Sequence, residues 1–190
     1  MTMDLKQYRM MDLGLLTLLA IASEVLGDFL HKALPSAGFY LSFSVLITLI
    51  AIIRWGKIGS IVLILAGIPM VLLGPNSIGV NLLLYPIANG GVILAAIVIE
   101  RIGKERLVAD LLKMLLMIIG THLAIALSKG LAVMVLGEPL LNGVILYLLA
   151  NIFNIVMTYV VMVLIRKRQG LLIDMKNYFE REQNDHEYSS

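Results

Sequence analysis

The sequence predicts an all-α polytopic membrane protein, a bundle of six membrane-spanning helices with both termini in the cytoplasm. Three observations carry this expectation. Of the 190 residues, 59% are hydrophobic and only 15% are charged, whereas a soluble domain is about half apolar and about a quarter charged. The apolar residues gather in six segments, roughly Leu13–Leu30, Phe39–Ile53, Ile58–Leu73, Ile78–Ile99, Leu111–Leu136 and Leu140–Ile165. The basic residues alternate with those segments as the positive-inside rule requires.

Taken in order, the chain begins with a polar stretch to Asp12 that holds Asp4, Lys6 and Arg9. The apolar run after it contains Glu24 and Asp28 and has no A-x-A-like exit, so it reads as the first span and not as a cleaved signal. The second and third runs are short for a span, which needs about 20 residues. Only Arg54-Trp55-Gly56-Lys57 separates them, which predicts a tight helical hairpin. Pro35 with Ser36, Gly74 with Pro75, and Glu138 with Pro139 mark the other turns, and Pro69 and Pro86 fall inside spans, where they kink helices. Lys6, Arg9, Arg54, Lys57, Arg101, Lys104, Arg106, Lys113, Arg166, Lys167, Arg168, Lys176 and Arg181 all fall on one side of a six-span path. The other side has Lys32, with Lys129 inside a span. Residues 1–169 therefore read as a transmembrane substrate-binding domain, and 170–190 as a cytoplasmic tail. In that tail Leu171, Leu172, Met175, Tyr178 and Phe179 recur at helical spacing, as in a short helix lying on the membrane surface, and Gln183–Ser190 reads as disordered.

Ionisable and polar groups inside spans are costly and point to function. Span one carries Glu24, Asp28 and His31 on one helix face; span four carries Asn81, Tyr85 and Asn89; span five carries His122 and Lys129; span six carries Tyr147, Asn151, Asn154 and Thr158. At 1.5 Å rise per residue, Glu24 lies roughly 16 Å from the inner end of its span. By the same arithmetic Asn89, His122 and Asn151 lie near mid-membrane, and most of the others lie in the outer half. This convergence predicts a solute chamber lined by Glu24, Asp28, Asn81, Tyr85, Asn89, His122, Lys129, Tyr147 and Asn151. Lys129 suits a carboxylate or phosphate, and Glu24 and Asp28 suit an amine or several hydroxyls. Other uses of the same residues stay open. Asn154 and Thr158 fit helix-to-helix hydrogen bonding, Glu24 with Lys129 fits a buried ion pair, His31 and Lys32 fit a solvated edge, and His122 fits a packing residue as well as a contact.

Several chemistries are excluded or disfavoured. There is no Walker A loop, no H-E-x-x-H and no G-x-S-x-G. No cysteine is present and histidines number three, which argues against a zinc site. The basic residues are accounted for by topology, so nucleic acid is not an expected partner. The expected protein is not an enzyme and uses no cofactor or metal. A rival reading groups Glu24, Asp28 and His122 as an intramembrane active site.

The segment Phe39–Gly67, with Arg-Trp-Gly-Lys ahead of Ile-Gly-Ser-Ile-Val-Leu-Ile-Leu-Ala-Gly, resembles the second and third spans of the substrate-binding S-components of energy-coupling factor (ECF) importers. Leu84-Tyr85-Pro86-Ile87-Ala88-Asn89 leading to Glu100-Arg101-Ile102-Gly103-Lys104-Glu105-Arg106 is similar to them too. The resemblance implies a bacterial cytoplasmic-membrane protein that captures a vitamin or related metabolite. It also implies a transmembrane coupling subunit and two cytoplasmic ATPases as partners. In that family the coupling subunit docks on small residues four apart in span one. Gly14, Thr17 and Ala20 are the candidates here, with Gly59 and Gly67 of span three beside them, although no two alanines of span one lie four apart. A second resemblance is to six-span cell-shape scaffolds of the MreD kind, which need no polar chamber.

Overall fold

The protein is seen here as a computed structural model, described for residues 4–33, 40–168, 171–175 and 178–179. The described residues fold into nine α-helices, with one 3-10 and one π segment between them and no strand. They are α1 (Leu5–Ala33), α2 (Ser44–Trp55), α3 (Ile61–Ala66), α4 (Pro69–Leu73), α5 (Ile78–Leu82), α6 (Val92–Ile102), α7 (Lys104–Ala109), α8 (Leu111–Val135) and α9 (Leu140–Ile165). Five stretches are long and apolar enough to cross a membrane: Leu5–Ala33, Ser44–Leu73, Ile78–Ile102, Leu111–Val135 and Leu140–Ile165. The chain is thus a helical bundle of membrane type. In lipid a helix satisfies its own backbone hydrogen bonds, which is why these apolar runs fold this way.

The stretch Ser44–Leu73 is not one straight helix. Gly56 has φ +69, a left-handed conformation that L side chains rarely adopt. After it, the 3-10 turn Gly56–Ser60 folds back on α2. A Cβ placed on Gly59 would lie 2.4 Å from the carbonyl carbon of Ala51. Eight residues along a continuous helix would separate the two by about 12 Å, so the chain reverses direction at the Arg54–Lys57 turn. The two prolines expected to interrupt helices do stand at irregularities. Pro69 opens α4 after a break at Gly67–Ile68, and Pro86 lies inside the π segment Leu83–Ile87 that joins α5 toward α6.

One end of the bundle is closed by polar contacts. Arg54 donates to Asp12 at 2.7 Å, and Trp55 Nε1 donates to the same carboxylate at 2.5 Å. The Lys57 backbone N–H donates to Glu100 at 2.7 Å, and Lys104 pairs with Asp174 at 2.7 Å. The rings of Tyr8 and Phe179 lie 5.4 Å apart. These contacts bring the start of α1, the end of α2, the end of α6 and the segment after α9 to the same end. Met175 is buried and Leu172 packs against the main core, so these two tail side chains meet protein. Gln183–Ser190 lie outside the described residues. At the same end Asp110 caps α8, accepting from the backbone N–H groups of Leu112 and Lys113. These bonds, led by the one from Lys113, hold its carboxyl below the usual range.

The core joins α2, α6, α8 and α9 through Leu49, Ile52, Ile53, Val92, Ile99, Met114, Ile118, Ile125 and Met162. A second cluster, Ala20 with Ala51, Val62 and Ala66, lets α1 approach the α2–α3 hairpin closely. Leu15, Leu18 and Leu26 of α1 and Leu141, Leu149 and Leu164 of α9 point outward and are exposed. In a membrane protein such side chains meet lipid.

Candidate functional site

A cavity of about 500 Å³ lies between α1, the approach to α2, α3–α4, the π segment, α8 and α9. Seven of the expected chamber residues line it: Glu24, Asp28, Tyr85, Asn89, Lys129, Tyr147 and Asn151. Four helical stripes, the outermost more than a hundred residues apart in sequence, thus meet at one void.

Glu24 is the most heavily bonded of them. Its carboxylate accepts from Tyr40 Oη at 2.5 Å, from Ser42 Oγ at 3.1 Å and from Ser44 Oγ at short range. The donors sit on the non-helical residues leading into α2 and on the first residue of that helix. Non-helical backbone at membrane depth persists only where it is buried in protein or lines a cavity with its polar groups satisfied. Both conditions are met. The Ser42 N–H donates to Asn154 Oδ1 at 3.2 Å, the Phe43 N–H donates to Ser23 Oγ at 2.6 Å, and Asn154 Nδ2 donates to the Tyr40 carbonyl at 2.8 Å. Asn154 is therefore a structural clasp between α9 and the approach to α2. It also donates to Asn151 Oδ1 at 2.9 Å, holding that amide in the cavity wall.

Sequence reasoning missed Tyr40, Ser42 and Ser44. Their signal was a period of two, with polar residues alternating with Leu41 and Phe43, which puts them on one side of a non-helical segment. A search for helical stripes alone overlooks it.

The remaining walls are less saturated. Asp28 pairs with Lys32 at 2.7 Å, and Lys32 also donates to the Leu73 carbonyl at 3.1 Å, joining α1 to α4 at the edge of the cavity. The His31 ring lies 6.3 Å from that of Tyr40 and also lines the cavity. Lys129 donates at short range to the carbonyl of Leu84 in the π segment, and its ammonium lies 5.0 Å from the Tyr85 ring centroid. No ion pair joins it to Glu24 among the described residues, so that sequence-level alternative is not realised. Asn89 donates to the Leu63 carbonyl at 3.0 Å across the approach of α3 to the π segment. Gly67 makes the approach possible, because a Cβ there would meet Pro86 N at 2.9 Å and Asn89 Nδ2 at 3.0 Å.

Two expected lining residues stand elsewhere. Asn81 is buried in the α4–α5 turn, where it donates to the carbonyls of Val71 and Asn76 and accepts from the Asn76 N–H. His122 is fully buried behind Tyr147, with Nδ1 3.4 Å from the tyrosine hydroxyl. It supports a wall residue and does not line the cavity, so Glu24, Asp28 and His122 form no common cluster. The expected docking residues also separate. Gly14 faces open space, Thr17 donates to the Leu13 carbonyl at 2.7 Å, and Ala20 is fully buried against Ala51, Val62 and Ala66. Ala20, Gly59 and Gly67 use their small size inside the chain.

Compared with protein-family models, with curated proteins and with solved structures, the chain matches none.

Proposed function

We propose that this protein is the solute-binding membrane subunit of an ATP-driven importer, taking up a vitamin or similar small metabolite. The observation that carries the reading is the cavity: about 500 Å³ walled by Glu24, Lys129, Asn89, Asn151 and three tyrosines inside an otherwise apolar bundle. That is the size range of small-molecule sites, and polar groups at this depth are kept for a use. The reversal at Gly56 supports counting Ser44–Leu73 as two crossings, which makes six. All basic residues but Lys32 and Lys129 then face the cytoplasm, as do both termini, in a bacterial cytoplasmic membrane. A scaffold of the MreD kind leaves the cavity without a use. An intramembrane active site of Glu24, Asp28 and His122 is opposed by the placement of His122.

Capture alone cannot drive accumulation, and the chain has no nucleotide-binding loop. Energy therefore comes from partners: a transmembrane coupling subunit and two cytoplasmic ATPases, as the resemblance to ECF S-components implies. Vesicles containing this chain with a coupling subunit and ATPases should accumulate solute when supplied with ATP. Vesicles with the chain alone should bind it without accumulation. Accumulation by the chain alone, driven by a proton or sodium gradient, would move it to the secondary transporters.

A further inference from the structure

We infer that the solute carries an acidic group, a carboxylate or a phosphate ester, and that this group lies against Lys129. The inference rests on the binding reading above and narrows it to a chemical class. It follows from how the four charged side chains of the cavity wall are engaged. Asp28 has a cation, Lys32, at 2.7 Å. Glu24 forms no ion pair among the described residues, although it and Lys129 attract each other at longer range, and three hydroxyls donate to it from Tyr40, Ser42 and Ser44. Both carboxylates are thereby stabilised within the protein. Lys129 is not matched in the same way. An ammonium offers three donors, and the contacts found for this one are a neutral carbonyl, Leu84, and the face of Tyr85.

A cation in a membrane span with no anion in contact is costly, and such groups pair with a counter-ion or serve a ligand. The cavity is where the counter-ion can enter. Lys129 lines it together with Tyr85, whose ring offers an apolar face to the body of the same solute, and with Asn89, whose amide nitrogen gives one of its two N–H groups to Leu63. The second N–H of Asn89 can add a neutral donor to that seat, while Lys129 supplies its positive charge. A cationic solute would instead have to compete with three hydroxyls for Glu24 or with Lys32 for Asp28.

Matched single-ring probes test this: benzoate and phenyl phosphate as anions, benzamide as the neutral form, benzylamine as the cation. The readout is thermal stabilisation of the full chain in a neutral maltoside detergent, titrated to give apparent affinities. Both anions should stabilise the protein, and benzamide and benzylamine should bind at least tenfold more weakly. Lys129→Met should weaken the anions by about 10- to 100-fold, on the scale of a lost charged hydrogen bond. Lys129→Arg keeps the charge and should retain them, which guards against a variant that merely misfolds. Stabilisation by benzylamine or benzamide and not by the anions would keep the chamber and overturn the acidic solute. Anion binding unchanged in Lys129→Met would overturn the seat. No stabilisation by any probe would remove the chamber together with the inference.

Discussion

Tyr40 donates a 2.5 Å hydrogen bond to Glu24, 16 positions earlier in the chain, and so ties the non-helical approach of α2 onto the middle of α1. Ser42 and Ser44 reach the same carboxylate, which makes Glu24 the point on which that segment is folded. Tyr40→Phe removes one donor of three and should cost about 1.5–3 kcal/mol, the range for a hydrogen bond to a charged group. Glu24→Ala leaves three hydroxyls without their acceptor and should cost more. Thermal unfolding in neutral detergent checks the order. A Glu24→Ala protein as stable as Tyr40→Phe would mean that the carboxylate does not organise this segment.

The hairpin at Gly56 predicts a contrast between two glycines. Gly59→Leu drives a side chain into the α2 backbone at Ala51 and should prevent folding or lower stability by more than about 3 kcal/mol, as severe overpacking does. Gly14→Leu meets open space and should leave the fold intact. If Gly14 lies on the coupling surface, the same substitution should abolish partner-driven uptake while solute binding persists. Expression yield, melting temperature and vesicle uptake separate these outcomes.

The helical membrane-type bundle was legible because hydropathy acts over whole segments, and no local detail of the bundle can undo it. The hairpin was readable in Arg54-Trp55-Gly56-Lys57 for the same reason. The site was legible to the extent that it sits on helices. Glu24 with Asp28, Tyr85 with Asn89, and Tyr147 with Asn151 each follow a helical period, so their shared faces could be computed from spacing. Asn81 and His122 obey the same spacing and yet serve a turn and a second layer, because periodicity gives a face and not what that face meets. Ala20 shows the same limit. Its small size suits a partner's helix and an internal one equally, and only the position of Val62 and Ala66 decides between them.

Asn81 and Asn151 should therefore behave differently when changed. Asn81→Ala breaks the bonds that pin the α4–α5 turn and should lower stability by about 1–3 kcal/mol, leaving solute occupancy per folded protein unchanged. Asn151→Ala alters the cavity wall and should reduce occupancy. Equal loss of occupancy in the two would return Asn81 to the binding surface.

The six crossings with cytoplasmic termini proposed above make a labelling pattern. Single cysteines at Ser77 and Glu138 should react in intact cells with a membrane-impermeant thiol reagent, and one at Lys104 should react only after permeabilisation. The wild-type chain contains no cysteine, so no background competes. Labelling at Lys104 with protection at Ser77 would invert the topology.

The central claim is that the cavity between α1, α3–α4, α8 and α9 holds a small solute. Native mass spectrometry of gently extracted protein tests it most directly, with wild type measured beside Ala150→Phe, which places a ring in the cavity. The account predicts a bound small molecule on the wild type, released on activation in the gas phase, and its absence from the folded variant. A small molecule retained by Ala150→Phe at wild-type occupancy, or none on the wild type under any extraction, would contradict it.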